Sequence, residues 1–216
     1  MFRFFQMFSQ LIFPLVCHTC HQVLIKGERI VCMKCYIDIP RQTKITSLNV
    51  DGQSLPVYSL YRFQKAGKIQ QLIHLLKYHN KKEIGIFFGE ELRIRFDTFD
   101  DVNYIIPVPL HWRKKKHRGY NQSEVIANGF IKNSDIKLLC DCLKRKDDNS
   151  SQTGKKRYDR YQKIEHAFEV LHGSLLHSQH VLLIDDVFTT GATLTACIQQ
   201  LHTIPGIRIS ILCVAK

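Results

Sequence analysis

Long uncharged apolar runs are missing from this 216-residue sequence. No segment holds 18 or more such residues, so no transmembrane helix is expected. Neither G-x-x-x-x-G-K-[S/T] nor G-x-G-x-x-G occurs, which disfavours a P-loop and a dinucleotide-binding fold. Acidic residues are in short supply: 19 Asp+Glu stand against 31 Lys+Arg, a net charge of +12. A surface so basic favours nucleic acid, polyphosphate or an anionic membrane as partner. A small-residue cleavage site is also lacking after residues 1–16, where Arg3 and the mostly apolar stretch from Phe4 to Val16 imitate a signal peptide. Val16 is not small, so Cys17 does not read as a lipoprotein cysteine. Phe4, Phe8, Leu11, Ile12 and Leu15 instead repeat at helical spacing, with Pro14 disfavouring the last turn. We read a short amphipathic helix packed on the protein; peripheral membrane association is the alternative.

Cysteine is present in a telling arrangement. Four of the eight form two C-x-x-C pairs, Cys17-His18-Thr19-Cys20 and Cys32-Met33-Lys34-Cys35. Paired cysteines of this kind point to metal in a reducing compartment, and so to the cytoplasm, rather than to disulfides. Cys17, Cys20, Cys32 and Cys35 supply the four thiolates that tetrahedral Zn²⁺ takes in closed, structural sites. Lys26-Gly27 reads as the turn of a small zinc-ribbon-like hairpin, and residues 1–45 are assigned to this N-terminal unit.

The most informative stretch runs from Val181 to Thr193. Val181 to Ile184 predict a strand buried on both faces. Asp185 and Asp186 follow at its carboxyl end, where open α/β sheets bind ligands. Thr189, Thr190, Gly191, Ala192 and Thr193 come next, ahead of a helix with Leu194, Cys197, Ile198 and Leu201 at 3–4 spacing. A helix N-terminus holds phosphate, threonine hydroxyls add hydrogen bonds, and Gly191 allows a positive φ. The carboxylates suit sugar hydroxyls or Mg²⁺. Together they call for a sugar phosphate with Mg²⁺. The run resembles the phosphoribosyl-pyrophosphate (PRPP) motif of type I phosphoribosyltransferases at every position.

A second stretch follows a buried strand within Val102 to Leu110. Trp112, Arg113, Lys114, Lys115, Lys116, Arg118 and Tyr120 form the densest basic run of the chain, with aromatics at both ends. Its cations suit a pyrophosphate or the backbone of single-stranded DNA, with Trp112 or Tyr120 stacking on bases. A solvated basic loop is the competing reading. Asn121 or Gly119 starts the next helix.

The remaining pattern predicts a linker over 38–56, a strand over Val57 to Phe63, and helices after Gly67 and after Lys82. Further strands are expected over Ile136 to Leu143, Ala167 to Leu171 and Ile207 to Val214, and a mobile loop over 144–166 with Lys155, Lys156, Arg157 and Arg160 on its anion-binding side. Strand–helix alternation through 102–214 predicts an α/β domain with a mostly parallel sheet and helices on both faces; the resemblance of the 181–193 motif implies that this domain, over 46–216, is type I phosphoribosyltransferase-like.

With these residues in place, the chain resembles the ComF family, the ComFC type of phosphoribosyltransferase-like competence protein. The four cysteines match its zinc ribbon. Lys77-Tyr78, Pro107-Val108-Pro109-Leu110, Arg113, Arg118-Gly119-Tyr120-Asn121-Gln122, the block Gln152, Gly154, Arg160 and Ala167-Phe168, and the Asp185 motif match the rest in order. Lys155 and Lys163 depart from the family pattern. The resemblance implies a cytosolic factor that handles incoming single-stranded DNA during natural transformation, with structural Zn²⁺, with Mg²⁺ and PRPP, and beside a ComFA-like helicase/ATPase where one exists. Two alternatives stand: an active phosphoribosyltransferase acting on a nucleobase or other nucleophile, and a regulator that senses PRPP. No acceptor-base pocket is visible in the sequence.

Overall fold

The computed structural model describes residues 14–97, 99, 101–132, 134–146 and 167–216. The helix expected over 1–16 therefore lies almost wholly outside the described residues. So does the loop beyond 146, with Gln152, Gly154, Lys155, Lys156, Arg157, Arg160 and Lys163.

Two cysteine-bearing turns open the described chain; an antiparallel bridge between Val16 and Val23 closes the first, and His18 N donates to Ile30 O at 3.0 Å to join it to the second. Helix α1 (Met33–Asp38) carries Cys35 inward. Strand β1 (Thr46–Val50) and strand β2 (Gln53–Tyr61) then pair antiparallel. Asp51 and Gly52 between them both take positive φ, the conformation that a two-residue hairpin turn requires. The linker expected over 38–56 thus contains a strand and the start of another. Its apolar positions alternate with exposed ones at the sheet edge, so the run looks polar. Pro56 is tolerated because β2 gains its second neighbour only from Val57 onward.

Helix α2 (Lys68–Tyr78) and helix α3 (Lys82–Arg95) follow, then strand β3 (Tyr104–Pro107), helix α4 (Trp112–Arg118) and helix α5 (Gln122–Phe130). The strand expected over Ile136 to Leu143 is two strands in different sheets: β4 (Lys137–Leu138) at an edge, and β5 (Leu143–Arg145), paired with β6 (Phe168–Val170) in a separate hairpin. Strand β7 (His180–Val187), helix α6 (Ala192–Leu201) and strand β8 (Arg208–Ala215) complete the chain. The main sheet has the order β1-β2-β8-β7-β3-β4 and is parallel except for β1.

Alternate residues of the central strands feed two buried clusters. Leu182, Ile184, Leu212 and Val214 face α2, α3 and α5; Val181, Leu183, Ile211 and Cys213 face α6. Helices therefore cover both faces, as the apolar run at 181–184 predicts. The first cluster also takes in Cys17, Ile30, Val31, Cys32, Cys35 and Ile39, so the cysteine unit and the sheet share one interior.

Helices α3 and α5 approach unusually closely. A Cβ built on Gly89 would lie 2.5 Å from Phe130 N and nearer still to Ile126 O. One on Gly129 would lie 2.9 Å from Ile86 Cα and nearer still to its carbonyl oxygen. Only glycine permits this contact of backbone on backbone. On another side of α3, Glu90 accepts from Arg29 and Lys132, both at 2.7 Å, and Glu91 accepts from the Tyr36 hydroxyl at 2.5 Å.

Candidate functional site

At the carboxyl edge of the sheet, β3 ends at Pro107 opposite Ile184, while β7 runs on to Val187. The early end of β3 uncovers one flank of β7 where Asp185 and Asp186 lie. Side chains from two helices fill that flank. Ser123 Oγ donates to Asp185 Oδ1 at 3.0 Å, and Gln122 Nε2 donates to Asp186 Oδ1 at 3.2 Å. Lys77, at the end of α2, makes an ion pair with Asp186 Oδ2. Gln122 in turn accepts from Arg118, whose guanidinium lies 5.5 Å from the Tyr78 ring centre. Removal from water and then the charge of Asp186 push the Asp185 carboxyl up to about 8. A cation and ordered hydroxyls placed here would offset both the lost hydration and the repulsion.

The loop after β7 has the form the sequence calls for. Thr189 and Thr190 are exposed, Gly191 takes φ 78° as the cap of α6, and Ala192 and Thr193 begin that helix. A side chain on Gly191 would also collide with Leu48 Cδ1, at 2.6 Å. The free N–H groups of α6, the hydroxyls and the carboxylate pair thus share one edge.

The basic run is a helix, α4, with no buried residue. His111 caps it by accepting from Arg113 N at 3.2 Å, and Gly119 closes it at φ 82°. Arg113, Lys114, Lys115 and Lys116 are exposed, and no acidic partner lies within ion-pair distance of them among the described residues. Trp112 is 48% exposed, with the His111 ring stacked beside it and Arg113 5.3 Å from its ring centre. Tyr120 differs from the expectation. It is 7% exposed, its hydroxyl donates to Leu76 O, and Lys82 covers its ring at 4.9 Å. It cannot stack on a base, and of the two candidate rings only Trp112 is free to do so. Arg118 points to the Asp pair rather than outward with the rest of the run.

Between α4, the start of α5 and the β5–β6 hairpin lies a cavity of about 380 Å³. Trp112, Lys115, Glu124, Asp141, Leu143 and Leu171 are among its walls. Its walls combine an aromatic ring and aliphatic side chains with the carboxylates of Glu124 and Asp141 and the cations of Lys115, Lys144 and Arg145.

The four cysteine sulfurs lie within 4.8 Å of one another, with Cys20 Sγ and Cys32 Sγ 3.6 Å apart. Tetrahedral Zn²⁺ with bonds of about 2.3 Å places its sulfurs about 3.8 Å apart, so the cage fits that ion. All four cysteines are free thiols here. Burial raises the Cys17 thiol, but hydrogen bonds from Thr19 and the backbone outweigh it and bring it to about 6. The neighbouring Cys20 moves the other way: the Gln22 backbone lowers it, but burial and the three thiols around it raise it more.

Lys77, Gln122 and Ser123 escape a reading by residue chemistry. Lys77 is 109 residues from Asp186 and sits on an ordinary amphipathic helix. The signals that could have found them are family motifs, Lys-aromatic and Arg-Gly-aromatic-Asn-Gln, whose residues converge on the Asp pair.

No protein-family model matches the chain. Competence protein F of Haemophilus influenzae is 36% identical over 91 residues, 42% of this chain and 40% of that one. Competence protein ComFC of Bacillus subtilis is 25% identical over 194 residues, covering 83% of this chain and 74% of its own length. DNA utilization protein YhgH of Escherichia coli O6:H1 is 25% identical over 157 residues, 70% and 68% of the two chains. The match thus spans two fifths of the Haemophilus relative and about seven tenths of the other two. Among solved structures, adenine phosphoribosyltransferase from Leishmania tarentolae aligns with 80% of this chain and 94% of that one, at 13% identity and a TM-score of 0.41. Hypoxanthine phosphoribosyltransferase from Staphylococcus aureus aligns with 61% and 62%, at 13% identity and a TM-score of 0.36. Blocks at Lys77, Pro107–Leu110, Arg118–Gln122 and Asp185–Thr193 follow one another as in the ComF family, and the relatives that the chain matches are named competence and DNA utilization proteins, so the chain is similar to that family.

Proposed function

We propose that this protein serves DNA uptake by binding PRPP with Mg²⁺ at the edge of its sheet and single-stranded DNA along the neighbouring basic helix. The observation that carries the reading is the carboxylate pair at the carboxyl end of β7, held by Gln122, Ser123 and Lys77 beside the threonine-rich loop at the start of α6. Asp185 and Asp186 would hold ribose hydroxyls and the metal, with Ser123 and Gln122 fixing their orientation. Thr189, Thr190, Gly191, Ala192 and Thr193 would hold the 5′-phosphate through N–H and O–H donors. Bound Mg²⁺ would neutralise phosphate charge at the carboxylates. Arg113, Lys114, Lys115 and Lys116 offer exposed cations to a strand, and Trp112 offers a ring. The names of the relatives support the biological setting, and the cysteine cage supports one structural Zn²⁺.

Calorimetry tests the small-ligand half. Wild type should bind PRPP in Mg²⁺, and D185N/D186N should not, with its fold intact by circular dichroism. Equal affinity in the two proteins would reject the site. The strand half is tested by salt dependence. Replacing Arg113, Lys114 and Lys116 with Ala should reduce the slope of log affinity against log salt by about 2, at about 0.7 per phosphate contact. W112A should cost about 1–3 kcal/mol of binding with little change of slope. An unchanged slope in the triple variant would leave α4 a solvated helix.

A second reading, phosphoribosyl transfer to a base, is favoured by the cavity between α4 and the β5–β6 hairpin. Pyrophosphate release from PRPP in the presence of free bases or DNA separates it from binding alone.

A further inference from the structure

A second cationic feature lies at the same sheet edge and plays no part in the site above. It is a groove of about 640 Å³ at the ends of β2 and β8 and the start of β1. Arg41, Lys44, Thr46, Ser47, Arg62 and Lys216 line it, and among the described residues no Asp or Glu does. Because β1 runs antiparallel, the residues that lead into it lie beside the carboxyl end of β2, with Arg41 bridged to Tyr61, so the groove opens on the edge that carries Asp185 and Asp186. It also shares a wall with the phosphate loop. Lys216 Nζ donates to Thr46 Oγ1 at 2.8 Å and lies 5.8 Å from the ring centre of Phe188, the residue that leads into the loop. Leu48 of β1 backs directly onto Gly191.

The groove's cations differ in how far they are committed. Arg41 is held: its guanidinium sits 4.6 Å from the Tyr36 ring centre and 4.7 Å from that of Tyr61, with Glu91 at 3.5 Å. Lys44 and Arg62 are exposed, and among the described residues neither has an acidic partner within 4 Å. A wall of cations and hydroxyls with no acidic side chain among the described residues suits phosphate, and an open groove suits an extended polyanion better than an enclosed small molecule. Lys77, Gln122 and Ser123 close on the Asp pair from the α2 and α5 side. The groove borders the loop from the β1 and β8 side. A nucleotide whose 5′-phosphate rests in the loop continues its chain from that same phosphate, which the groove flanks.

We propose that this groove seats backbone phosphates of single-stranded DNA through Lys44 and Arg62, so that one strand runs from α4, past the phosphoribosyl site, into the groove. The proposal rests on the strand-binding reading given above. It is tested by fluorescence anisotropy on a labelled oligothymidylate across a salt series, with K44A/R62A, K44E/R62E and the α4 triple variant R113A/K114A/K116A. Two lost contacts should lower the salt slope by about 1.4 in K44A/R62A. The charge-reversed pair should bind more weakly still. Affinity for PRPP, and the melting temperature, should stay at wild-type values in both. A wild-type slope in K44A/R62A while the α4 variant loses its own contacts would overturn the groove and leave the strand reading standing. Loss of PRPP affinity in K44A/R62A would also overturn it, assigning the groove to the small ligand's phosphates. Failure of the wild-type protein to bind the oligonucleotide would overturn both.

Discussion

Replacing Gly89 by Ala sets two effects against each other, and the structure decides which wins. Alanine is the better helix former by about 1 kcal/mol, so propensity alone predicts stabilisation. The new methyl, however, would meet Ile126 O, Phe130 N and Gly129 C, all closer than 3 Å and all backbone. No side chain can rotate away, so α3 and α5 must part by about 1 Å. A gap of that size forfeits a quarter to a half of each dispersion contact it opens. The contact holds Phe88, Leu92, Ile126 and Phe130, all fully buried. Overpacking of this kind costs about 3 kcal/mol or more, well beyond the propensity gain. Gly85 is the control on the same helix. There the methyl would meet Val125 Cγ1 at 2.8 Å and Leu76 Cδ1 at 3.1 Å, the ends of side chains that can shift. In urea unfolding with zinc held constant, G89A and G129A should lose about 3 kcal/mol, while G85A stays within about 1 kcal/mol of wild type. Because α5 carries Gln122 and Ser123, G89A should also weaken PRPP binding. A G89A protein as stable as wild type within about 0.5 kcal/mol would refute the reasoning.

Three further outcomes follow from the site. Protein purified without chelator should carry one Zn²⁺ per chain by elemental analysis, and C32S or C35S should lose it together with stability. K77M should cost about 2–3 kcal/mol, below the range for a fully buried pair because Lys77 keeps a quarter of its surface. D186N should recover most of that loss in the double variant, and additive effects would show that the pair does not interact. Asp185 has its folded pKa raised, so the native state binds more protons than the unfolded chain between about 4 and about 8. Stability should therefore fall as pH rises through that window, and D185N should flatten the dependence. Mg²⁺–PRPP binding should strengthen over the same range with release of a proton, which calorimetry in buffers of different ionisation heat would detect.

What was legible in the sequence follows from the range of the forces involved. Val181–Ile184 announces a central parallel strand because burial on both faces leaves no polar position. The Asp pair and the loop after it are contiguous, so one window contains them. The cysteine pairs are legible because metal geometry fixes their spacing. β1 was lost because an edge strand exposes half its side chains and pairs on one side only. The division of 136–143 between two sheets was lost because apolar content does not say which partner a strand finds. Tyr120 shows the limit of chemistry read by residue type: an aromatic beside cations looks like a stacking ring, yet packing on α2 buries it. Lys77 and Gln122 lie far from Asp186 in sequence, and only the fold brings their charges and amides to it.

The interior shared by the cysteine unit and the sheet has a thermodynamic consequence. Cys17, Cys32 and Cys35 belong to the same buried cluster as Leu60, Phe88 and Ile184, and Glu90 and Glu91 tie Arg29, Tyr36 and Arg41 to α3. Such a chain has no natural place to come apart between its two halves. The free energy of a metal held by the thiolates is then credited to the whole cooperative unit, growing as RT ln(1 + [L]/Kd). Zinc depletion would lower the melting temperature of the sheet itself, and amide exchange in β7 and β8, far from the sulfurs, would quicken along with that of the ribbon.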